Sequence, residues 1–299
     1  MKTRRFTAVH RVPSFLLRYA IKRAQLATPP SVAGARPAVT YATFRTSSTS
    51  IHHAIRASSR AAAVKAHALA PEHLMPLVSP RGRLPLTEKG LPIFGHVGNL
   101  AVRHAIILPR READFVVAIR DPIAVAASMM SAFHTWWPAG LEKRITEPGF
   151  IESPTALDMI EREFFGTFPR HMMLGWLSHD MVAGIGWDPF AHAFDRESGA
   201  ARYDHGPWRL LVLRTELPDE RKDTLLRDFL ARPAIKIERT NDALGFGPER
   251  RGLIRAVHRV IARNPTWIDS VVEDPRARHF WPEASLEKFR AKWRAGPRD

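Results

Sequence analysis

The chain has 299 residues with 45 Lys and Arg against 30 Asp and Glu, a net charge of +15 and no cysteine, which excludes a disulfide framework, a thiolate nucleophile and a Cys-ligated metal. Hydrophobic residues make up 45% of it, enough for one sizeable core rather than a disordered coil. The positive balance favours anionic partners, but the cations are not gathered into tracts and no zinc-finger, RRM or KH signature is present, which argues against specific nucleic-acid binding.

Residues 1–37 are basic, and no Asp or Glu occurs before Glu72. Val9, Val12, Leu16 and Tyr19 fall at helix-like spacing, with Pro13 interrupting, while Arg11, Arg18, Lys22 and Arg23 leave no apolar signal-peptide region. No stretch approaches the ~20 apolar residues of a membrane span. The segment reads as a flexible basic tail or as a helix lying on anionic lipid, so the chain is expected in the cytoplasm, with peripheral contact at the inner membrane face as the sharper alternative. Pro29 to Pro37 is a Pro/Gly/Ala linker, and the folded domain is expected over 38–299.

Within it, Val39 to Phe44 predicts a first strand and Ser50 to Ser59 a helix that starts in a Ser/Thr cluster. Ala61 to Leu69 is a second strand, the proline-punctuated stretch 70–98 a loop, and Asn99 to Leu108 a helix. The uninterrupted apolar run Phe115 to Ile119 predicts a central strand buried on both faces. Asp121 is placed to cap a helix with Pro122 as its first residue, running through Ile123 to Trp137. Further along come an amphipathic helix over Thr155 to Phe168, a strand over Trp208 to Arg214, a helix over Asp219 to Leu230, and a short strand over Ile235 to Glu238. Closing helices are expected over Glu249 to Arg263 and Ala284 to Arg294. Strands alternating with helices predict a three-layer α/β domain with a central parallel sheet, and such sheets bind ligands at the carboxyl ends of their strands.

Two strand-to-helix turns carry anion-binding chemistry. In the first, Arg45-Thr-Ser-Ser-Thr-Ser50 offers a guanidinium, side-chain hydroxyls and the N–H groups of a helix N-terminus. It lacks the glycines and lysine of a Walker loop. In the second, Arg120 ends a strand and Ser128 follows eight residues later, a little over two helical turns, so both can face one anion. Between the turns in sequence lie Lys65 and His67, which project to one face of a strand. An imidazole there can act as a base near neutral pH and an ammonium can neutralise a leaving oxygen. His52 and His53 are adjacent and diverge on a helix, and no metal-ligand spacing occurs.

Together these segments resemble the nucleotide-binding signatures of sulfotransferases that use 3′-phosphoadenosine 5′-phosphosulfate. Arg45, Thr46, Ser47, Ser48 and Thr49 occupy that family's 5′-phosphosulfate loop, with Ser50 next to it, and Ser47 stands where a glycine is usual. Arg120-Asp-Pro and Ser128 reproduce the family's 3′-phosphate signature without a gap, and Lys65-Ala-His67 matches its Lys-Thr-His on the intervening strand, without the middle hydroxyl. Trp176 to Gly199, Leu210 to Glu216 and His279 to Trp293 are similar to a bacterial branch, the capsular polysaccharide synthesis proteins. The resemblance implies a P-loop-like fold and a metal-independent sulfuryl transfer to a hydroxyl or amine, with a carbohydrate or small-molecule acceptor. In it His67 is the base, Lys65 and Arg45 are the neutralising cations, residues 45–50 hold the 5′ side, and Arg120 and Ser128 hold the 3′-phosphate. The family's late basic Gly-rich element is missing; Gly247-Pro-Glu-Arg-Arg-Gly252 is only faintly similar to it and reads as a helix N-terminus with solvated arginines. Two alternatives stay open: a P-loop-like phosphoryl transferase, and a non-catalytic protein that binds polyanions or an anionic membrane surface.

Overall fold

All seven residues of Ala113–Ile119 are buried, the condition of a strand covered on both faces, and this strand, β3, is the middle of a five-stranded sheet. The computed structural model describes residues 11–27, 36–42, 46, 48–58, 62–73, 97–132, 144, 147, 149–167, 172–238 and 248–297. On one side of β3 lie β1 (Ala38–Ala42) and β2 (Ala63–Ala66), both in parallel register. On the other lies β5 (Trp208–Arg214), also parallel, followed by the antiparallel edge strand β4 (Ala200–His205). The order is β2-β1-β3-β5-β4, so the sheet predicted as parallel is mostly parallel.

Alternation along the strands separates two cores. Val116, Ala118, Leu211 and Leu213 face α2 (Ser48–Ala57) and α7 (Asp219–Leu230). Phe115, Val117, Leu210 and Val212 face the larger layer. That layer holds α1 (Arg11–Ala27), α3 (Val97–Val102), α4 (Pro122–Ala132), α5 (Pro154–Thr167) and α6 (Met172–Ile185), then α8 (Pro248–Ala262), α9 (Pro265–Val272), α10 (Pro275–Phe280) and α11 (Glu283–Arg294). Helix α3 runs into a π-turn, Arg103–Ile107, closed by the Leu108 N–H to Arg103 carbonyl bond of 2.9 Å. Helix α1, in the basic N-terminal segment, packs on α3 and this turn; its Leu26 is fully buried and its Tyr19 hydroxyl meets His104 Nδ1 at 2.6 Å.

Several findings depart from the sequence expectation, among them the helices over Pro265–Val272 and Pro275–Phe280. Helix α6 was not foreseen, because Met172–Ile185 is apolar on nearly all sides and a buried helix shows no stripe. Strand β4 is polar and reads as loop; it forms as the second arm of a hairpin on β5, turned by Gly206-Pro207 with Gly206 at φ 57°, the first-position glycine of a two-residue hairpin turn. The strand expected at Ile235 to Glu238 does not form. Its backbone is satisfied by helix side chains instead, with the Ile237 N–H donating to Asp223 Oδ1 at 2.8 Å and Arg227 Nε donating to the Ile235 carbonyl at 2.7 Å.

Candidate functional site

The carboxyl ends of β1, β2, β3 and β5 share one edge of the sheet, and the candidate residues gather there. After Ala42 the chain crosses to α2, whose first turn is Ser48, Thr49 and Ser50. Thr46, Ser48 and Ser50 are buried and Thr49 is half-buried. No acidic residue stands in that turn, so no carboxylate of its own offsets the positive end of the helix. Arg45 and Ser47 lie outside the described residues.

Strand β2 lays two side chains across this connection. Lys65 Nζ donates to Thr49 Oγ1 at 2.7 Å, at the helix end of the turn. His67, just past the strand, meets the carbonyl of Ala42 through Nδ1 at 2.8 Å, at the strand end. A carbonyl only accepts, so the proton is on Nδ1, and in the neutral ring Nε2 is the basic nitrogen. The backbone beside it is held as firmly: the His67 N–H donates to Asn99 Oδ1 at 2.8 Å, and Asn99 is fully buried in α3. One step on, the buried Asp180 of α6 accepts from Leu69 N, Ala70 N and the Tyr41 hydroxyl at 2.8, 3.1 and 2.7 Å. The Tyr41 hydroxyl is kept protonated, pushed well above its usual pKa by burial and by Asp180. Glu72, in the short turn that follows, is bonded to His179 at 3.0 Å.

At the end of β3 the predicted cap is present. Asp121 Oδ1 accepts from Ile123 N at 2.9 Å and Ala124 N at 3.2 Å, at the start of α4. Its Oδ2 accepts from Trp293 Nε1 at 2.8 Å and has Lys292 at 3.5 Å, so α11 latches the same helix end. Arg120 is half-buried at the mouth of this turn, and Ser128 is half-buried two turns into α4. Since Ala42 pairs with Ala118 and neighbouring strands lie ~5 Å apart, the two candidate turns are neighbours on one edge.

Sequence reasoning missed Arg214. It ends β5 opposite Ile119, is 8% exposed, and its Nε and Nη1 have no hydrogen-bond partner. Burial lowers its pKa, while Glu216, Glu197 and Asp195 act in the opposite direction. Its guanidinium runs over Gly199, where a Cβ would stand 2.6 Å from Nε and Nη2. A signal existed: Leu213-Arg214 repeats the pattern of Ile119-Arg120, an apolar strand ending in arginine. In the helix after the first turn, buried His52 has its pKa pushed down to about 4, first by burial and then by Lys22, Lys65, His53 and Arg56.

Among the described residues no group of three His, Cys, Asp or Glu side chains converges as a metal site. Comparison with protein-family models, with curated proteins and with solved structures finds no match to this chain.

Proposed function

We propose that this protein is a sulfotransferase that moves a sulfuryl group from 3′-phosphoadenosine 5′-phosphosulfate to a hydroxyl or amine, with a carbohydrate acceptor favoured. The observation that carries the reading is the pair of bonds from β2 to the two ends of the β1–α2 turn: a histidine fixed as the Nδ1–H tautomer and a lysine seated on the first helical turn. On this reading the domain is P-loop-like, the turn 45–50 receives the 5′-phosphosulfate, and Arg120 with Ser128 receives the 3′-phosphate. The acceptor oxygen attacks sulfur in line and gives its proton to His67 Nε2 as the new S–O bond forms. The bond from sulfur to the bridging oxygen breaks, and the electron pair stays on the 5′-phosphate, where Lys65, Arg45 and the α2 N-terminus meet it. The cations are side chains, so the step needs no metal. A phosphoryl transferase would call for a lysine in the loop and a Mg²⁺ ligand, and the loop offers Arg45.

The test is thermal stabilisation by two nucleotides that differ only in the 3′-phosphate. 3′-Phosphoadenosine 5′-phosphate should raise Tm well above the shift given by AMP, and Arg120→Ala should erase the difference. Equal shifts in the unmodified protein would overturn the assignment.

A further inference from the structure

Of the five large apolar side chains exposed among the described residues, three are on one helix: Leu16 at 54%, Leu17 at 62% and Ile21 at 48%. A fourth, Leu108 at 59%, directly follows the π-turn on which that helix rests. Helix α1 therefore has two apolar sides. Leu26, with half-buried Tyr19 and Lys22, faces the domain. Leu17, Ala20, Ile21 and Ala24, at spacings of three, four and seven, form an outward row. At 100° per residue, Arg18 and Arg23 project to either side of this row, and both are exposed.

We infer that this outward face of α1, extended by Leu108, docks on a lipid bilayer containing anionic headgroups. The occupant follows from charge as well as from apolarity. No Asp or Glu occurs in the first 71 residues, which hold twelve Lys and Arg, and Arg103, Arg110 and Arg111 stand on and beside the π-turn. The one acid there, Glu112, is paired with Arg36 at 3.3 Å. A row of aliphatic side chains flanked by arginines is the pattern of a helix in the plane of a membrane interface, with the long basic side chains reaching to the headgroups. A second copy of the chain fits poorly, because a two-fold contact would bring the two sets of arginines together with no acid between them. The inference does not depend on the sulfotransferase reading.

Flotation of the full chain with phosphatidylcholine vesicles, with and without phosphatidylserine, tests it. Binding should require phosphatidylserine and weaken as salt rises. Leu17→Asp with Ile21→Asp should reduce partitioning by at least about tenfold with Tm unchanged, since both side chains are exposed. Arg18→Glu with Arg23→Glu should abolish the preference for phosphatidylserine. The charge-matched control, Arg196→Glu with Arg278→Glu, should bind as the unmodified chain does. Three results would overturn the inference: no binding to anionic vesicles, equal loss in the control, or a self-associating chain that Leu17→Asp with Ile21→Asp converts to monomer.

Discussion

At the scale of single residues, the decisive feature is which nitrogen of His67 carries the proton. The Ala42 carbonyl settles it at 2.8 Å, and the buried Asn99 and Asp180 keep the surrounding backbone from drifting. A base held in the right tautomer and spared the entropy of finding it contributes ~10²–10⁴-fold to a proton-transfer step. His67→Ala should therefore lower turnover by about that factor, while 3′-phosphoadenosine 5′-phosphate stabilises the variant as it does the unmodified protein. Unchanged turnover would place the base elsewhere. Lys65 donates to Thr49, and an ammonium has no lone pair with which to take a proton. Of these features, the pairing of Lys65 with His67 was legible in the spacing, because alternation along a strand is a local rule. The carbonyl that fixes the imidazole was not, since it belongs to another strand and reaches His67 only through the parallel register of β1 and β2.

Among the elements, α6 acts on the site without entering it. Its Gly184 lies so close to the chain after β2 that a Cβ there would be 2.5 Å from the Leu69 Cβ and 2.9 Å from the Leu69 backbone carbon. Neither atom belongs to a flexible side-chain tip, so the added methyl must displace the segment that carries His67. Gly184→Ala should cost about 1–3 kcal/mol in denaturant unfolding and reduce turnover; full activity with normal stability would show that the segment gives way freely. None of this was visible in Met172–Ile185, whose apolar residues run all round the helix. Strand β3 and the start of α4 were legible for the converse reason. An apolar run followed by Asp-Pro carries its burial and its cap within a few residues, and Asp121 caps as expected. Strand β4 and the strand expected at 235–238 reverse each other's lesson. The first is made by a partner that its own residues do not announce, and the second has β-like residues but finds its hydrogen bonds on α7.

For the molecule as a whole, acid is a specific weakness. His52 on α2 and His258 on α8 are both pushed from 6.5 down to about 4, each first by burial. In His52 the cations Lys22, Lys65, His53 and Arg56 add to this; in His258 Lys292 adds and Asp121 opposes. His258 packs edge-on to Trp293 at 4.7 Å, and Trp293 donates to the Asp121 cap. His52 thus lies on the helix that follows the first candidate turn, and half-buried His258 lies behind the second. The sign follows from linkage. Between pH 6.5 and about 4 the unfolded chain binds protons that the folded chain refuses, so stability falls as pH drops through that window and is insensitive to these rings above it. At pH 5 the loss is about 2 kcal/mol per ring, on a chain whose +15 charge grows as its carboxylates neutralise. Denaturant unfolding at pH 7.5 and pH 5 should show a large drop for the unmodified protein. The drop should be smaller for His52→Gln with His258→Gln, even if that variant starts from lower stability. An equal drop in both would show that these two rings are not the source of the acid sensitivity.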